Sequence, residues 1–219
     1  MYYPHRATYD YECYFDNVDQ NGGQEKLTWC NHHELLSVSV ASNVPNFDSA
    51  RCFVSDGDPA TLVGRMVSYL HEISEAAFNN LTEKFENVFS SIQELVELQQ
   101  NQEDEQPRAQ DGAAPTKKVA AEKLREELEH YLCELPVIGF NSSHYDLNFI
   151  KKHLYRRLKE AGDPVEMVIK RGGSYMLLKT KKLKFLDISN YLAPGYTLTK
   201  SFSKRMTVHT IWASFHMNI

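Results

Sequence analysis

The sequence has few cysteines and no long apolar segment. Its 219 residues include four cysteines, at positions 13, 30, 52 and 133, without the paired spacing of a disulfide framework or a zinc motif. No charged-then-apolar leader precedes the first predicted strand, and no apolar run approaches the roughly 18 residues of a membrane span. These absences predict an intracellular protein of a reducing compartment, the nucleus or the cytoplasm, without membrane association.

The composition is that of one globular domain, but the charge is divided unevenly along the chain. Hydrophobic residues make up 42% and charged residues 24%, which is ordinary for a soluble protein. Residues 1–134 hold 10 basic and 24 acidic side chains, whereas residues 135–219 hold 14 and 5. The basic half predicts a surface that follows a phosphate backbone, and a solvated helix face with a charged hairpin is the alternative. The cations in question are Lys151, Lys152, Arg156, Arg157, Lys179, Lys181, Lys182 and Lys184.

Two acidic signatures, TYDYEC at residues 8–13 and GFNSSHYD at residues 139–146, stand out. Side chains alternate faces along a strand, so Asp10 and Glu12 are expected to project the same way, about 7 Å apart. The opposite face then carries Tyr9, Tyr11, Cys13 and Phe15. Asp146 follows a short apolar run and opens a predicted helix, so it is expected to approach the same point from a neighbouring strand. Three converging carboxylates would repel one another unless hard cations lay between them.

The periodicity predicts a mixed sheet with packed helices, an α/β fold. Strands are expected over 7–15, 35–41, 51–54, 136–140, 165–170, 174–180 and 183–188, with a glycine turn between the fifth and sixth. Helical spacing covers 59–100, with Asp58 as N-cap and a break near Asn79 and Asn80, and returns over 117–133 and 147–158. Residues 101–116 are polar and predict a flexible linker. The stripe in 59–100 indicates core packing, with a partner-binding coiled coil as the alternative.

The pair Asp10-x-Glu12, followed by Asn141-x-x-x-Tyr145-Asp146, resembles the exonuclease motifs of family B DNA polymerases. The run GFNSSHYDLNFI at 139–150 is most similar to the protein-primed branch of phages, linear plasmids and large self-replicating transposons. The resemblance covers residues 8–198. It implies a ribonuclease-H-like 3′-to-5′ proofreading exonuclease domain over residues 1–198, with 59–100 as a helical insertion and 199–219 as a diverged tail.

The resemblance also implies roles for individual residues. Asp10, Glu12 and Asp146 would hold two Mg²⁺ or Mn²⁺ ions. Asn141 and Tyr145 would hold the single-stranded 3′ end of DNA, the amide by hydrogen bonding and the ring by packing on the terminal nucleotide. Lys151 and Lys152, from the basic half, are expected to contact its phosphates.

Each assignment has a structural alternative. Asp10 and Glu12 would be solvated residues of an edge strand. Asn141 would form a turn and Asp146 would cap a helix, roles that are compatible with catalysis.

The sequence also departs from the family. The third exonuclease motif, Tyr-x-x-x-Asp, and the polymerase motifs are not found. Asp187 is the nearest candidate for the missing ligand, but its segment resembles the strand that precedes the third motif, which makes it an expected neighbour of the site. The sequence thus predicts a truncated polymerase fragment with a weakened or inactive exonuclease site. The alternatives are a non-catalytic module that binds single-stranded nucleic acid and an interaction protein that uses the helices of 59–133.

Overall fold

A seven-stranded mixed sheet with packed helices forms the described part of the protein. The computed structural model describes residues 3–17, 31–104 and 117–191. The strands are β1 (Ala7–Asn17), β2 (Asn31–Ser42), β3 (Arg51–Val54), β4 (Leu135–Gly139), β5 (Met167–Arg171), β6 (Ser174–Lys179) and β7 (Leu183–Asp187). The helices are α1 (Pro59–Lys84), α2 (Glu86–Asp104), α3 (Lys117–Cys133) and α4 (Asp146–Glu160), and a 3₁₀ turn spans Ile188–Tyr191. The predicted α/β class is confirmed.

The strands lie in the order β3-β2-β1-β4-β7-β6-β5. The three central strands, β1, β4 and β7, run parallel to one another, and the outer pairs are antiparallel. Every residue of β4 is buried, as expected for an unbroken apolar run in the centre of a sheet. β1 lies inside the sheet but pairs with β4 only at Ala7 and Thr8, so Asp10 and Glu12 have a strand partner on the β2 side alone. The alternative of solvated residues at a strand edge therefore describes their surroundings.

The core lies between one face of the sheet and α1. Tyr9 and Tyr11 of β1 are 4% and 7% exposed on this face, and the Tyr11 hydroxyl donates to Met66 Sδ of α1 at 3.1 Å. The apolar stripe of α1, from Leu62 to Leu81, is almost fully buried. Burial of side chains of this size contributes roughly 1.5–3 kcal/mol each. The α1 stripe therefore packs in the core, as the first of the two interpretations predicted.

The break in the long helical region lies at Phe85, not near Asn79 and Asn80 as predicted. Asp58 caps the start of α1, as expected, by accepting from the Ala60 and Thr61 amides at 3.0 Å. Asn80 lies inside the helix and its Oδ1 is hydrogen-bonded to His5 Nε2 at 2.9 Å, so a tertiary contact overrides its local preference. After the helix restarts at Glu86, the buried positions no longer all follow the predicted stripe. In α2, Ile92 and Val96 are buried, whereas Val88 and Leu95 are exposed.

The remaining connections agree with the sequence in part. Gly172 and Gly173 join β5 to β6 with φ angles of 55° and 86°, which confirms the predicted glycine turn. The α2 helix continues to Asp104, so the first four residues of the predicted linker are helical. Residues 105–116 and the predicted tail, 199–219, lie outside the described residues. None of the helices in the described part of the chain is long and apolar enough to span a membrane.

Candidate functional site

The two acidic signatures meet where the central strands end. β1 pairs with β4 only at Ala7 and Thr8, and β4 ends at Gly139, so Asp10 and Glu12 lie on the part of β1 beyond that end. From here the chain turns from β1 to β2 on one side and from β4 to α4 on the other. A point where successive connections leave in opposite directions is the usual ligand site of an α/β sheet.

Asp10 and Glu12 share one face of β1, as their spacing predicted. Both are exposed, whereas Tyr9 and Tyr11 are buried on the other face. Their partners on β2 are Ser39 and Ser37, and the register shifts immediately after Glu12. Bulges of this kind increase the local twist of a strand and often lie next to functional sites. The side chain of Phe15 lies outside the described residues.

Asp146 is the most perturbed carboxyl group of this region. It is the first residue of α4 and its side chain is buried, with 9% of the residue exposed. Burial, reinforced by the charges of Asp10, Asp187 and Glu12 in that order, raises the pKa of Asp146 to about 7. Burial and the neighbouring Glu12 also raise the pKa of Asp10. The structure thus brings Asp10, Glu12 and Asp146 within electrostatic range of one another.

Asp187 lies beside this cluster but its carboxylate is already occupied. It is fully buried at the end of β7. Oδ1 accepts from the amides of Asn141 and Ser189, each at 2.9 Å, and Oδ2 accepts from the amide of Ser143 at 3.0 Å. The hydroxyls of Ser143 and Ser189 also donate to it, at 2.5 and 2.7 Å. A carboxylate offers about four lone-pair sites, so Asp187 anchors the loop after β4 and is not presented as a metal ligand.

Asn141 forms the turn after β4. Its φ of 55° lies in the left-handed region, which asparagine tolerates better than most residues. Its carbonyl accepts from the amides of His144 and Tyr145, both at 3.3 Å. The turn-forming alternative therefore describes the backbone of Asn141.

Close packing holds this turn against β1. A Cβ atom on Gly139 would lie 2.5 Å from Ser142 Cβ and Oγ and 3.1 Å from Tyr9 Cζ, so only glycine allows this approach. The hydroxyls of Tyr9 and Ser142 are buried, and neither has a hydrogen bond of normal geometry among the described residues. Burial raises the pKa of Tyr9 well above its ordinary value, so its hydroxyl stays protonated.

One face of α4 combines exposed aromatic and basic side chains. Tyr145 and Phe149 are 56% and 38% exposed, and Lys152 and Arg156 are exposed beyond them. These four residues, which we call the α4 strip, recur at helical spacing and share one side of the helix. The Phe149 ring stacks on His33 of β2 with centroids 5.1 Å apart. Phe149 lies in the run GFNSSHYDLNFI that resembles the family, four residues after Tyr145, but the resemblance implied no role for it.

The predicted basic surface is divided by the fold. Lys151, which donates to Asn148 Oδ1 at 3.3 Å, and Lys152 are exposed on α4. Arg157 instead donates from Nε to the Ala60 carbonyl at 3.0 Å, and Lys179 forms an ion pair with Glu134. The exposed cations of the predicted set therefore lie in two places, on α4 (Lys151, Lys152 and Arg156) and before β7 (Lys181 and Lys182). Arg157 and Lys179 instead stabilise the fold.

Within residues 3–17, 31–104 and 117–191, no three His, Cys, Asp or Glu side chains are close enough together to hold a metal ion. Asp10 and Glu12 are near enough to Asp146 to raise its pKa, but oxygens that share one Mg²⁺ each lie about 2.1 Å from it. The exposed carboxylates of β1 would have to turn towards Asp146 to complete such a site.

Comparison with known proteins leaves the chain without an assigned relative. No protein-family model, curated protein or solved structure matches it.

Proposed function

We propose that this chain is an exonuclease-type domain of ribonuclease-H-like fold, related to the N-terminal part of protein-primed family B DNA polymerases. It would act on the 3′ end of single-stranded DNA. The observation that carries the proposal is the meeting of Asp10 and Glu12, beyond the end of β4, with Asp146 at the start of α4. A mixed sheet with three parallel central strands, flanked by antiparallel strands, supports the fold.

The donor set suits Mg²⁺ or Mn²⁺. Carboxylate oxygens are the ligands these cations prefer, and Asp10, Glu12 and Asp146 would hold them. Two such ions lower the pKa of a bound water and neutralise charge on the reacting phosphate. Asp187 is occupied by its loop, so the site offers three carboxylates and no replacement for the missing motif. We therefore expect weak hydrolysis.

The α4 strip supplies contacts for the strand. A base stacked on an exposed ring gains about 1–3 kcal/mol whatever its identity, and Tyr145 lies next to Asp146 at the start of α4. Lys152 and Arg156, farther along the same face, would contact phosphates. This arrangement favours a substrate that is single-stranded and bound without sequence preference.

The test is digestion of a 3′-labelled single strand in Mn²⁺. We expect slow release of mononucleotides by the wild-type chain and none by the Asp10→Asn/Glu12→Gln double variant. The matched control is Asp48→Asn/Glu75→Gln, which removes the same charges from exposed positions and should leave the rate unchanged. Equal rates in the wild type and the site variant would refute hydrolysis at this site.

A non-catalytic module that binds single-stranded nucleic acid is the second candidate. Two observations favour it. No three potential metal ligands lie close together among the described residues, and the side chains of the α4 strip are exposed. It predicts DNA affinity that falls with salt and persists in Asp10→Asn, with no nucleotide released. Loss of affinity on removal of Mn²⁺ would argue against it.

A further inference from the structure

A cavity of about 580 Å³ lies between β3, the first half of α1 and the end of α4. Its charged lining residues are Arg51, Arg65, Arg157, Glu72 and Glu160. Arg157 is three turns along α4 from Asp146, about 16 Å at 1.5 Å per residue. The cavity is therefore separate from the carboxylate cluster.

Two arginines lie over buried rings. Arg51 Cζ lies 5.1 Å from the ring centroid of Phe53 and 4.9 Å from that of Tyr69, and Arg65 Cζ lies 5.2 Å from Phe53. Phe53 and Tyr69 are only 4% and 8% exposed, so the surface beneath the guanidinium groups is rigid. A guanidinium has five N–H donors, so contact with a ring leaves donors available to a ligand.

A third guanidinium reaches the same cavity because residue 64 is glycine. Arg157 Nε would lie 3.2 Å from a Cβ atom on Gly64. The Arg157 Nη1 group pairs with Glu160 at 2.8 Å. In contrast, no carboxylate of the described chain forms an ion pair with Arg51 or Arg65; the only hydrogen bond from Arg65 goes to the Val54 carbonyl, at 3.1 Å. The cavity also holds two carboxylates, Glu160, which is paired with Arg157, and Glu72. Within the described chain, Arg51 and Arg65 therefore face the cavity against the single charge of Glu72.

We propose that this cavity binds the phosphate group of a nucleotide-sized phosphate ester. Arginine forks match phosphate oxygens bidentately, and the two guanidinium groups without an ion pair outnumber the carboxylate of Glu72, so the cavity favours an anion. The volume is within the range of small-ligand pockets. A free nucleotide and the terminal phosphate of a DNA strand share this chemistry. The proposal does not depend on the carboxylate cluster.

The experiment is titration calorimetry of the full chain with deoxyadenosine monophosphate, inorganic phosphate and unphosphorylated deoxyadenosine. We expect both phosphates to bind saturably and deoxyadenosine not to bind. Arg51→Gln should weaken binding about tenfold or more, because one charge-assisted fork is lost. Arg125→Gln, on the exposed face of α3, is the matched control and should leave the affinity unchanged.

Further variants separate the outcomes. Arg51→Lys keeps the positive charge but cannot form the bidentate fork, so we expect it to lose part of the affinity for phosphate. If its melting temperature is unchanged, that loss supports the proposal even when Arg51→Gln does not fold. If only a 5′-phosphorylated oligonucleotide binds, and Arg51→Gln abolishes that binding, the phosphate belongs to a strand. Asp10→Asn should bind phosphate like the wild type, which separates this site from the proposed exonuclease site. The proposal would be overturned if none of inorganic phosphate, deoxyadenosine monophosphate and the 5′-phosphorylated oligonucleotide bound saturably, or if binding were equal in Arg51→Gln.

Discussion

Replacement of Asp146 by asparagine should stabilise the protein above neutral pH. Burial and the neighbouring carboxylates raise the pKa of Asp146 from 3.8 to about 7 in the folded chain. Between these values the folded state binds a proton that the unfolded state has released, so stability falls as the pH rises. Above pH 7 the loss is complete. Asparagine has no charge to lose and nearly the same shape.

The magnitude follows from that difference in pKa. At about 1.4 kcal/mol for each pH unit, a rise from 3.8 to about 7 corresponds to about 4 kcal/mol. A negative charge in the first turn of α4 is favoured by the helix dipole by up to about 1 kcal/mol, and asparagine forfeits that gain. The net stabilisation of Asp146→Asn at pH 8 should be about 3 kcal/mol, and it should vanish near pH 4.

The assay is urea unfolding of wild type and variant at several pH values between 4 and 8, in the presence of a chelator. Asp48→Asn, which changes an exposed aspartate, serves as the control and should show no such trend. Addition of Mn²⁺ at pH 8 should stabilise the wild type and not Asp146→Asn, because the cation replaces the proton in relieving repulsion. A variant that is no more stable than the wild type at pH 8, or a difference that does not change with pH, would refute the reasoning.

Three further predictions test the loop after β4 and the α4 strip. Asp187→Ala should destabilise the chain by about 3 kcal/mol or more in urea unfolding, because it leaves several buried donors without an acceptor; a loss below about 1 kcal/mol would contradict the anchoring role. Gly139→Ala should lower the melting temperature, since its Cβ would overlap Ser142, and the second change Ser142→Gly should restore part of the loss; a double variant no better than the single one would exclude this clash as the cause. Tyr145→Ala should weaken binding of single-stranded DNA by about 1–3 kcal/mol without altering its salt dependence, whereas Lys152→Gln should reduce the dependence of the affinity on salt. Fluorescence anisotropy at several salt concentrations measures both effects. A salt dependence that is the same in Lys152→Gln and the wild type would count against the phosphate contact.

Local patterns in the sequence predicted most of the elements and some of their ends. Asp58 caps α1 and Gly172 and Gly173 make the hairpin turn, because caps and turns depend on a few adjacent residues. The alternation of Asp10 and Glu12 with buried tyrosines follows from the pleat of any strand. These features need no information from distant parts of the chain.

Tertiary contacts decided what local patterns leave open. The helix break lies at Phe85 and not at Asn80. The side-chain oxygen of Asn80 is hydrogen-bonded to His5, and the helix continues through residue 80. Asp187 resembled a possible ligand in sequence, and only the folded loop shows that five donors occupy its carboxylate. The pairing of β1 with β4 brings Asp146 close to Asp10 and Glu12. The cavity that contains Arg51, Arg65 and Arg157 is lined by residues of β3, α1 and α4. Both sites are made by residues far apart in the chain, so no local pattern contains them.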